Sequence, residues 1–252
     1  MVDKMNSIIR ILSITLLCII SLGAQAIPSY SEMYVYDNQD VPTIDPESST
    51  SEKLISDPLE PVNRHIFNIN SLLDTAFIAP VIETYITVTP KPVKVRLGNF
   101  VSNLGEPINF LNLMLQGDFA QARVTLGRFI TNSLLGFFGI VDVASKANMQ
   151  YKGEDFGQTL AHYGMSSGPY LVIPIFGPSS TRDTAGKVFD FFADPMRYAM
   201  DREERDIVNI AWVINKRADA NQLVKTIKKS LDPYETAKML YIQNRINQIN
   251  NK

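Results

Sequence analysis

Apolar side chains recur every three or four residues over most of the chain from residue 57 onward, and this spacing places them on one face of an α-helix. The first such stripe comprises Val62, Ile66, Ile69, Leu73 and Ala76. Pro80 is expected to end this helix, since proline lacks the backbone N–H that a helix interior needs. Pro90 and Pro92 are expected to open a second helix, because proline is tolerated in a first helical turn.

The next segment, residues 108–115, contains no charged side chain and is apolar on nearly every side. Such a segment is typical of deep burial or of contact with lipid. Asp118 followed by Gln121 forms a capping box for a further helix that extends to Leu134. The apolar side of this helix is expected to face inward. The residues on that side are Phe119, Ala122, Leu126, Phe129 and Ile130.

The C-terminal half of the chain continues the helical pattern. Helices are expected at residues 155–163, 182–192 and 195–229. A last helix is expected to begin at Asp232, with Pro233 in its first turn.

One apolar run in this half, residues 170–176, does not suit a helix. Pro169 and Pro174 bracket it, so we expect an extended buried loop there, or a loop that meets an apolar partner. No sustained strand alternation, heptad or internal repeat is present in the sequence. The predicted fold class is therefore mainly α, with no substantial sheet.

Residues 1–26 have the features of an export signal. Lys4 and Arg10 precede an apolar run at residues 11–22, and Ala26 ends a small-residue site after which we predict cleavage. The run is shorter than the roughly 20 apolar residues that a membrane-spanning helix requires. Export places the protein where ATP and nicotinamide cofactors are absent, which excludes most kinases, GTPases and dehydrogenases.

The only cysteine, Cys18, lies inside this signal. A lipoprotein signal ends in a cysteine that follows a small residue, whereas Cys18 follows Leu17 and lies in the middle of the apolar run. Lipidation and an ordinary apolar cysteine both stay open, and the bulky neighbour favours the second. Cleavage after Ala26 would leave a mature chain without any disulfide.

The remaining composition narrows the function classes further. Residues 27–56 are acidic and rich in proline and serine, which predicts a flexible tether or an acidic tail that binds a partner. The formal net charge of −2 argues against a nucleic-acid partner, because such proteins depend on basic contacts to phosphate. With two histidines, one cysteine and no nucleotide-binding glycine loop, the sequence predicts neither a metal site nor a cofactor.

Candidate catalytic groups are few. His65 and His162 could each act as a general base, but neither has the serine elbow or the helical partner at four residues that catalytic sites use. Glu106 and Asp142 could form a carboxylate pair, although Arg128 is expected to pair with one of them instead. We predict no catalytic residue and no enzymatic activity. The alternative is a periplasmic lipid or cell-wall hydrolase that uses His162 with a nearby carboxylate.

Several short motifs occur in a fixed order along the chain. They are DPLE at residues 57–60, FVSNLGEP at 100–107, QGD at 116–118, DVA at 142–144, FGQTL at 156–160 and GPY at 168–170. Each motif is weak alone, but the ordered series is specific, and it resembles the VacJ/MlaA family of outer-membrane proteins.

The resemblance implies a single helical domain at residues 57–252, a ring-like arrangement of amphipathic helices embedded in the inner leaflet of the Gram-negative outer membrane. It also implies a non-enzymatic role in intermembrane phospholipid transport. In that role, mislocalised phospholipid leaves the outer leaflet through an amphipathic channel and passes to a periplasmic lipid-carrier protein. Members of the family often associate with trimeric porins. They are typically lipoproteins, and the poor lipidation site at Cys18 departs from that pattern.

Four asparagines among apolar residues are candidates for the lining of the lipid path, because they offer neutral polar groups without burying charge. They are Asn103, Asn109, Asn112 and Asn132. The alternative is that these side chains cap helices and satisfy backbone groups. Gly136 and Gly139 are expected to form either a hinge that gates the path or a simple turn. A porin-associated envelope scaffold that moves no lipid is a further alternative for the whole chain.

Overall fold

The computed structural model describes residues 55–250, and helices make up most of this part of the chain. The helices are α1 (Glu60–Leu73), α2 (Ala79–Val88), α3 (Lys91–Leu115), α4 (Phe119–Leu134), α5 (Val143–Lys146), α6 (Phe156–His162), α7 (Thr181–Ala193), α8 (Met196–Ala199), α9 (Arg202–Asp219), α10 (Asn221–Lys229) and α11 (Pro233–Asn250). One hairpin, formed by β1 (Tyr170–Ile173) and β2 (Gly177–Ser180), is the only sheet among the described residues. The predicted fold class, mainly α with no substantial sheet, is confirmed. The predicted signal and the tether up to residue 54 lie outside the described residues.

The first predicted helix continues past Pro80, which was expected to end it. After α1 the chain forms a π-helical turn at Asp74–Ile78, in which the Ala79 N–H bonds to the carbonyl of Asp74, five residues earlier. The π turn restarts the hydrogen-bond register, so Pro80 occupies a first-turn position in α2, where its missing N–H is tolerated. The continuous element Glu60–Val88 is the one helix among residues 55–250 that is long and apolar enough to cross a membrane, by length and composition alone.

The long helix α3 joins two segments that the sequence pattern separated at residue 108. Pro107 lies inside this helix, where a proline costs about 3 kcal/mol in isolation. The extensive packing of α3 against α4 offsets this local cost. Gly117, with φ of +76°, makes the turn between the two helices. The Asp118 carboxylate accepts a hydrogen bond from the Gln121 N–H at 3.1 Å, which confirms the predicted cap.

The apolar side of α4 faces outward, so the expectation that it faces inward was wrong for most of its length. Phe119, Leu126 and Ile130 are exposed, whereas Thr125 and Arg128 are buried. The expectation assumed water as the surrounding solvent. In the fold the polar side of α4 is turned inward because its ion pairs and hydrogen bonds are with α3 and the segment around α5.

Residues 170–173 of the apolar run form the first strand of the hairpin rather than an extended loop, and residues 174–176 form the turn that follows. β1 and β2 are antiparallel, with Tyr170 opposite Ser180 and Ile173 opposite Gly177. Pro169 and Pro174 lie just outside β1, so neither removes a hydrogen bond from the strand. The prolines delimit the strand instead of preventing it, which is why the loop expectation failed.

Two asparagines of α1 satisfy the free edge of β1. The Asn63 side chain donates to the Tyr170 carbonyl at 3.0 Å and accepts from the Val172 N–H at 2.9 Å. Asn70, two helical turns later, donates to the Ile173 carbonyl at 3.0 Å and accepts from the backbone N–H two residues further on at 2.7 Å. Because an amide carries one donor and one acceptor side like a peptide group, α1 takes the place of a third strand.

A small apolar core lies where the hairpin packs against α1 and α11. Its buried members are Tyr170, Val172, Tyr234, Tyr241 and Ile242. Ile55 packs against this cluster, and the Ser56 carbonyl accepts a hydrogen bond from the Tyr170 N–H at 2.9 Å. The folded region therefore includes residues 55 and 56, just before the predicted domain boundary at 57.

Burial in this fold is inverted relative to a water-soluble protein. Among the described residues, more polar and charged side chains than apolar ones are buried. Many large apolar side chains are exposed on the helices and in the turn after α4, among them Leu72, Val88, Leu134, Leu135, Phe137 and Phe138. Exposure of so many large apolar side chains is typical of contact with a membrane or with a partner protein.

Candidate functional site

Two of the four candidate lining asparagines join α3 to the segment that contains α6. Asn112 is 0% exposed, and it donates to the Asp190 carboxylate at 2.9 Å while its Oδ1 accepts from the Thr159 hydroxyl at 2.9 Å. Asn109 is also buried, and its Oδ1 accepts from the Glu154 N–H at 3.2 Å. Both side chains therefore bond to protein groups.

The other two asparagines lie between α3, α4 and the turn that follows α4. Asn103 donates to the Ser133 hydroxyl at 3.0 Å, and its Oδ1 is buried with no hydrogen-bond partner among the described residues. Asn132 donates to Asp142 at 3.1 Å and accepts from the Ala144 N–H at 2.9 Å. This geometry is that of the alternative interpretation, in which the asparagines satisfy neighbouring groups. A role in lining a lipid path stays a prediction.

The two candidate hinge glycines frame a tight left-handed turn. Phe137 and Phe138 have φ of +51° and +57°, and both side chains are 74% exposed. A Cβ on Gly136 would lie 2.2 Å from the Val141 carbonyl oxygen, and a Cβ on Gly139 would lie 2.4 Å from the Asn103 Cβ. The turn therefore requires glycine at both positions and presents two phenylalanines outward. Hinge motion at this turn stays a prediction.

Arg128 forms ion pairs with both candidate catalytic carboxylates, those of Glu106 and Asp142. The sequence predicted that it pairs with one of them. Its guanidinium lies 2.8 Å from Glu106 and 3.2 Å from Asp142, and it also donates to the Ser145 hydroxyl at 3.0 Å. Burial raises the pKa of Glu106 above its ordinary value, although Arg128 opposes this effect. The two carboxylates are thus engaged with one buried cation that joins α4 to α3 and to the start of α5.

The two histidines lie on α1 and α6, which do not contribute to this ion cluster. His65 is exposed on α1, and His162 is exposed at the end of α6, with its ring 5.2 Å from that of Tyr163. Within residues 55–250, no group of three or more histidine, cysteine, aspartate or glutamate side chains is arranged to hold a metal ion.

A second buried ion cluster was not predicted from the sequence. Arg245 of α11 donates to both carboxylate oxygens of Asp155, at 2.5 and 2.7 Å, and to Asp183 at 3.0 Å. Although burial alone would raise it, the charges of Arg245 and Arg182 hold the pKa of Asp183 below its ordinary value. The cluster joins the last helix to α6 and α7. No local sequence pattern connects its residues, because Arg245 lies 90 positions from Asp155 and 62 from Asp183.

Asp190 lies next to this second cluster and titrates near neutrality. Its carboxylate accepts from the Phe156 N–H at 2.8 Å and from Asn112 at 2.9 Å. Burial, with the negative charge of Asp155 in addition, raises the pKa of Asp190 to about 7. A carboxyl group whose pKa is higher in the folded state than in the unfolded state stabilises the fold in full at pH values below its unfolded-state pKa. This contribution to stability is lost as the pH rises through its folded-state pKa.

We therefore expect the free energy of unfolding to fall between about pH 4 and about pH 7 through Asp190, by an amount of the order of a few kcal/mol. Replacing Asp190 with asparagine should flatten this slope, since the new side chain has no charge to bury. Denaturant unfolding of the detergent-solubilised chain at both pH values would measure it. Asp201→Asn, at an exposed position, is the matched control and should keep the wild-type slope.

A cleft of about 610 Å³ opens between α2, α3, α9 and α10. One stripe of α3 contributes Val95, Gly98, Asn99 and Ser102 to its wall. The end of α9 and the start of α10 form the opposite side. The wall of the cleft mixes polar and apolar side chains.

A family model described as MlaA lipoprotein matches residues 55–248. This chain belongs to the MlaA family. The match covers nearly all the described residues, and it confirms the resemblance seen in the ordered motifs.

Individual MlaA proteins show the same similarity. The intermembrane phospholipid transport system lipoprotein MlaA of Escherichia coli is 34% identical over 203 residues, which cover 78% of this chain and 79% of the relative. The Haemophilus influenzae protein of the same name is 28% identical, with 75% and 77% covered. A protein of Rickettsia bellii is 36% identical over 193 residues, 76% of each chain.

A solved structure has the same fold. It was described under the heading "Structural basis for maintenance of bacterial outer membrane lipid asymmetry". The two structures superpose with a TM-score of 0.67 at 32% sequence identity, and the match covers 77% of this chain and 100% of the other.

Residues of the MlaA-like motifs make contacts between distant parts of the chain. Asp57, in the DPLE motif, accepts from Asn63 at 2.8 Å and from the Tyr234 hydroxyl at 2.5 Å. Gln116, in the QGD motif, donates to Thr159 of the FGQTL motif at 3.2 Å. The DPLE and QGD motifs therefore each contribute a side chain that connects segments distant in sequence.

Proposed function

We propose that this protein maintains the lipid asymmetry of the bacterial outer membrane by moving phospholipid between membranes. Mislocalised phospholipid would leave the outer leaflet through an amphipathic path in the protein and pass to a periplasmic lipid carrier. The observation that carries this proposal is the inverted burial, with apolar side chains outside and polar ones inside. The names of the MlaA relatives and of the matching structure support the same role.

Inverted burial suits a protein that is surrounded by acyl chains. Each large apolar side chain moved from water into an apolar environment contributes about 1.5–3 kcal/mol, so the exposed faces of α1, α2 and α4 would favour residence in a leaflet. A phospholipid has a polar head and apolar tails, and its path needs polar groups enclosed by an apolar belt. The polar side chains between α3, α4 and α6 are the proposed source of such groups, and in the structure they bond to neighbouring protein groups.

The proposed role includes a domain division, a location and partners. Residues 1–26 would direct export, residues 27–56 would act as a tether, and residues 57–252 would form the membrane-associated domain. Cleavage after Ala26, rather than lipidation at Cys18, would leave membrane attachment to the apolar helix faces and to a trimeric porin. The four asparagines and the Gly136–Gly139 turn stay proposals for the lining and the gate. No bond is made or broken in this role.

Surface phospholipid in a strain that lacks the gene tests the proposal. We expect more phospholipid in the outer leaflet, measured as acylation of lipid A by an enzyme that uses only outer-leaflet lipid, and full reversal by the intact gene. A His162→Ala variant should complement as well as the wild type. No rise in a deletion strain, when the restored protein is confirmed in the outer membrane, would contradict transport and favour a porin-associated scaffold. Loss of function in the histidine variant would favour the hydrolase alternative.

A further inference from the structure

The cleft between α2, α3, α9 and α10 is unusually basic for this chain. Four lysines and two carboxylates line it, although the whole chain has a formal net charge of −2. The lysines are Lys91, Lys94, Lys216 and Lys225. The cleft therefore concentrates positive charge in one concave place, and such a place attracts anions more strongly than a flat surface with the same charges.

The lysines of the cleft differ in the groups that they contact. Lys225 lies 2.5 Å from Glu83, and this pair neutralises itself at the far side of the cleft. Lys94 donates to the carbonyl of Ile86 at 3.3 Å, so its ammonium group is held at the end of α2. Lys91, at the start of α3, is exposed at the same end of the cleft. Lys91 and Lys94 thus place two positive charges together, one helical turn apart.

The rest of the cleft has the neutral polar side chains and the volume that a pocket for a polar headgroup requires. Asn99, Ser102 and Gln222 add neutral donors and acceptors to the wall. A volume of about 610 Å³ lies within the range of small-molecule sites, which is roughly 300–1,000 Å³. Asp219, whose carboxylate is close enough to Lys216 and Lys94 to interact with their charges, can also accept from the ammonium group of a ligand, so the cleft presents both partners of a zwitterion.

Apolar surface adjoins the basic end of the cleft. Val88 at the end of α2 and Val93 and Val95 in the first turns of α3 are exposed. An inorganic phosphate ion has no apolar part that could contact these valines. A phospholipid would use both features, because its phosphate would meet the lysines while an acyl chain would lie along the valines.

We propose that this cleft binds the zwitterionic, phosphate-bearing headgroup of a phospholipid, with Lys91 and Lys94 at the phosphate and Asp219 at the headgroup ammonium. The inference rests on the proposed transport function and adds a location and a headgroup class to it. Lysine ammonium groups bind phosphate through charge-assisted hydrogen bonds, which are about twice as strong as neutral ones.

Photo-crosslinking tests the headgroup site. The purified full chain in detergent is illuminated with a phosphatidylethanolamine that carries a photoreactive group near its phosphate, and the crosslinked peptides are identified. We expect labels on the first turns of α3, and about a tenfold loss of labelling in the Lys91→Gln/Lys94→Gln double variant, because two charge contacts that are partly open to solvent disappear. Lys146→Gln/Lys229→Gln removes the same charge at exposed positions outside the cleft and should label like the wild type.

Competitors distinguish a lipid headgroup from free phosphate. Soluble glycerophosphoethanolamine should reduce labelling, whereas inorganic phosphate at the same concentration should not. Equal competition by inorganic phosphate would overturn the proposal and leave only an anion site. Labelling that is unchanged in the cleft variant would also overturn it, but lipid transport would stand because lipid still binds. An absence of lipid labelling anywhere in the wild type would instead count against the proposed function. Matching thermal melting curves would show that each variant is folded.

Discussion

Replacement of Arg245 by methionine is expected to destabilise the protein by about 3–5 kcal/mol and to prevent its accumulation in the membrane. Arg245 is buried and holds two buried carboxylates, those of Asp155 and Asp183. Methionine can fill the space of the aliphatic stem but brings no positive charge. Asp155 would lose its contact with Arg245 and Asp183 would keep only Arg182 as a cationic partner, so poorly compensated negative charge would remain in the interior between α6, α7 and α11, where its desolvation is costly.

Arg64 offers a matched control for this prediction. It also contacts three acidic groups, those of Glu60, Asp232 and Glu235, but its side chain is 36% exposed. Exposed ion pairs contribute about 0–1 kcal/mol, so Arg64→Met should have a small effect. Denaturant unfolding of both variants in detergent would measure the difference. Equal effects at the two positions would show that burial of the charge cluster does not determine its importance.

The helices of this protein were predictable where local signals decide them. The Asp118 cap and the start of the last helix at Pro233 lie where the sequence placed them, because a capping side chain and a first-turn proline act within a few residues. Pro80 misled the prediction for the same local reason. The π turn before it decides the outcome, and this turn is not visible in a short window of sequence. Helix α3 likewise continues through Pro107, although the sequence pattern separated residues 108–115 from the helix before them.

The direction in which the amphipathic helices face was harder to predict. Helix α4 was correctly recognised as amphipathic. Its apolar side was predicted to face the protein core, which is the arrangement expected for a helix surrounded by water. Arg128 shows why this failed, since its partners are Glu106 on α3 and Asp142 beyond α4. The resemblance to an outer-membrane family implies surroundings that are partly lipid, and this implication favours an outward-facing apolar side. Periodicity alone could not supply it.

The polar contacts of the interior could be predicted only in part. Pairing of Arg128 with nearby acidic residues followed from their presence in one apolar region. The contact of Arg245 with Asp155 joins residues that are 90 positions apart, and no local pattern connects them. The same limit applies to the lysine cleft, whose walls come from α2, α3, α9 and α10. Its residues become a site only when the helices meet.

Substitution of Gly186 by alanine is expected to have the second large effect. A Cβ at this position of α7 would lie 2.4 Å from the backbone nitrogen and 2.8 Å from the Cα of Gly157 in α6. Backbone atoms cannot rotate away as a side chain can, so the two helices would have to separate. Separation would also disturb the buried contacts of Asp183 and Asp155 with Arg245. We expect a loss of about 3 kcal/mol, the upper end of the cost of overpacking.

Gly105→Ala is the control that isolates this steric effect. Gly105 also lies inside a helix, α3, but a Cβ there would meet nothing within 4 Å. Alanine should stabilise α3 by up to about 1 kcal/mol, because it favours the helix more than glycine does. The opposite signs of the two changes, measured by thermal unfolding in the same detergent, would demonstrate close packing of α6 on α7. A Gly186→Ala variant as stable as the wild type would mean that α6 and α7 are not in backbone contact, and the ion cluster that bridges them would then need another geometry.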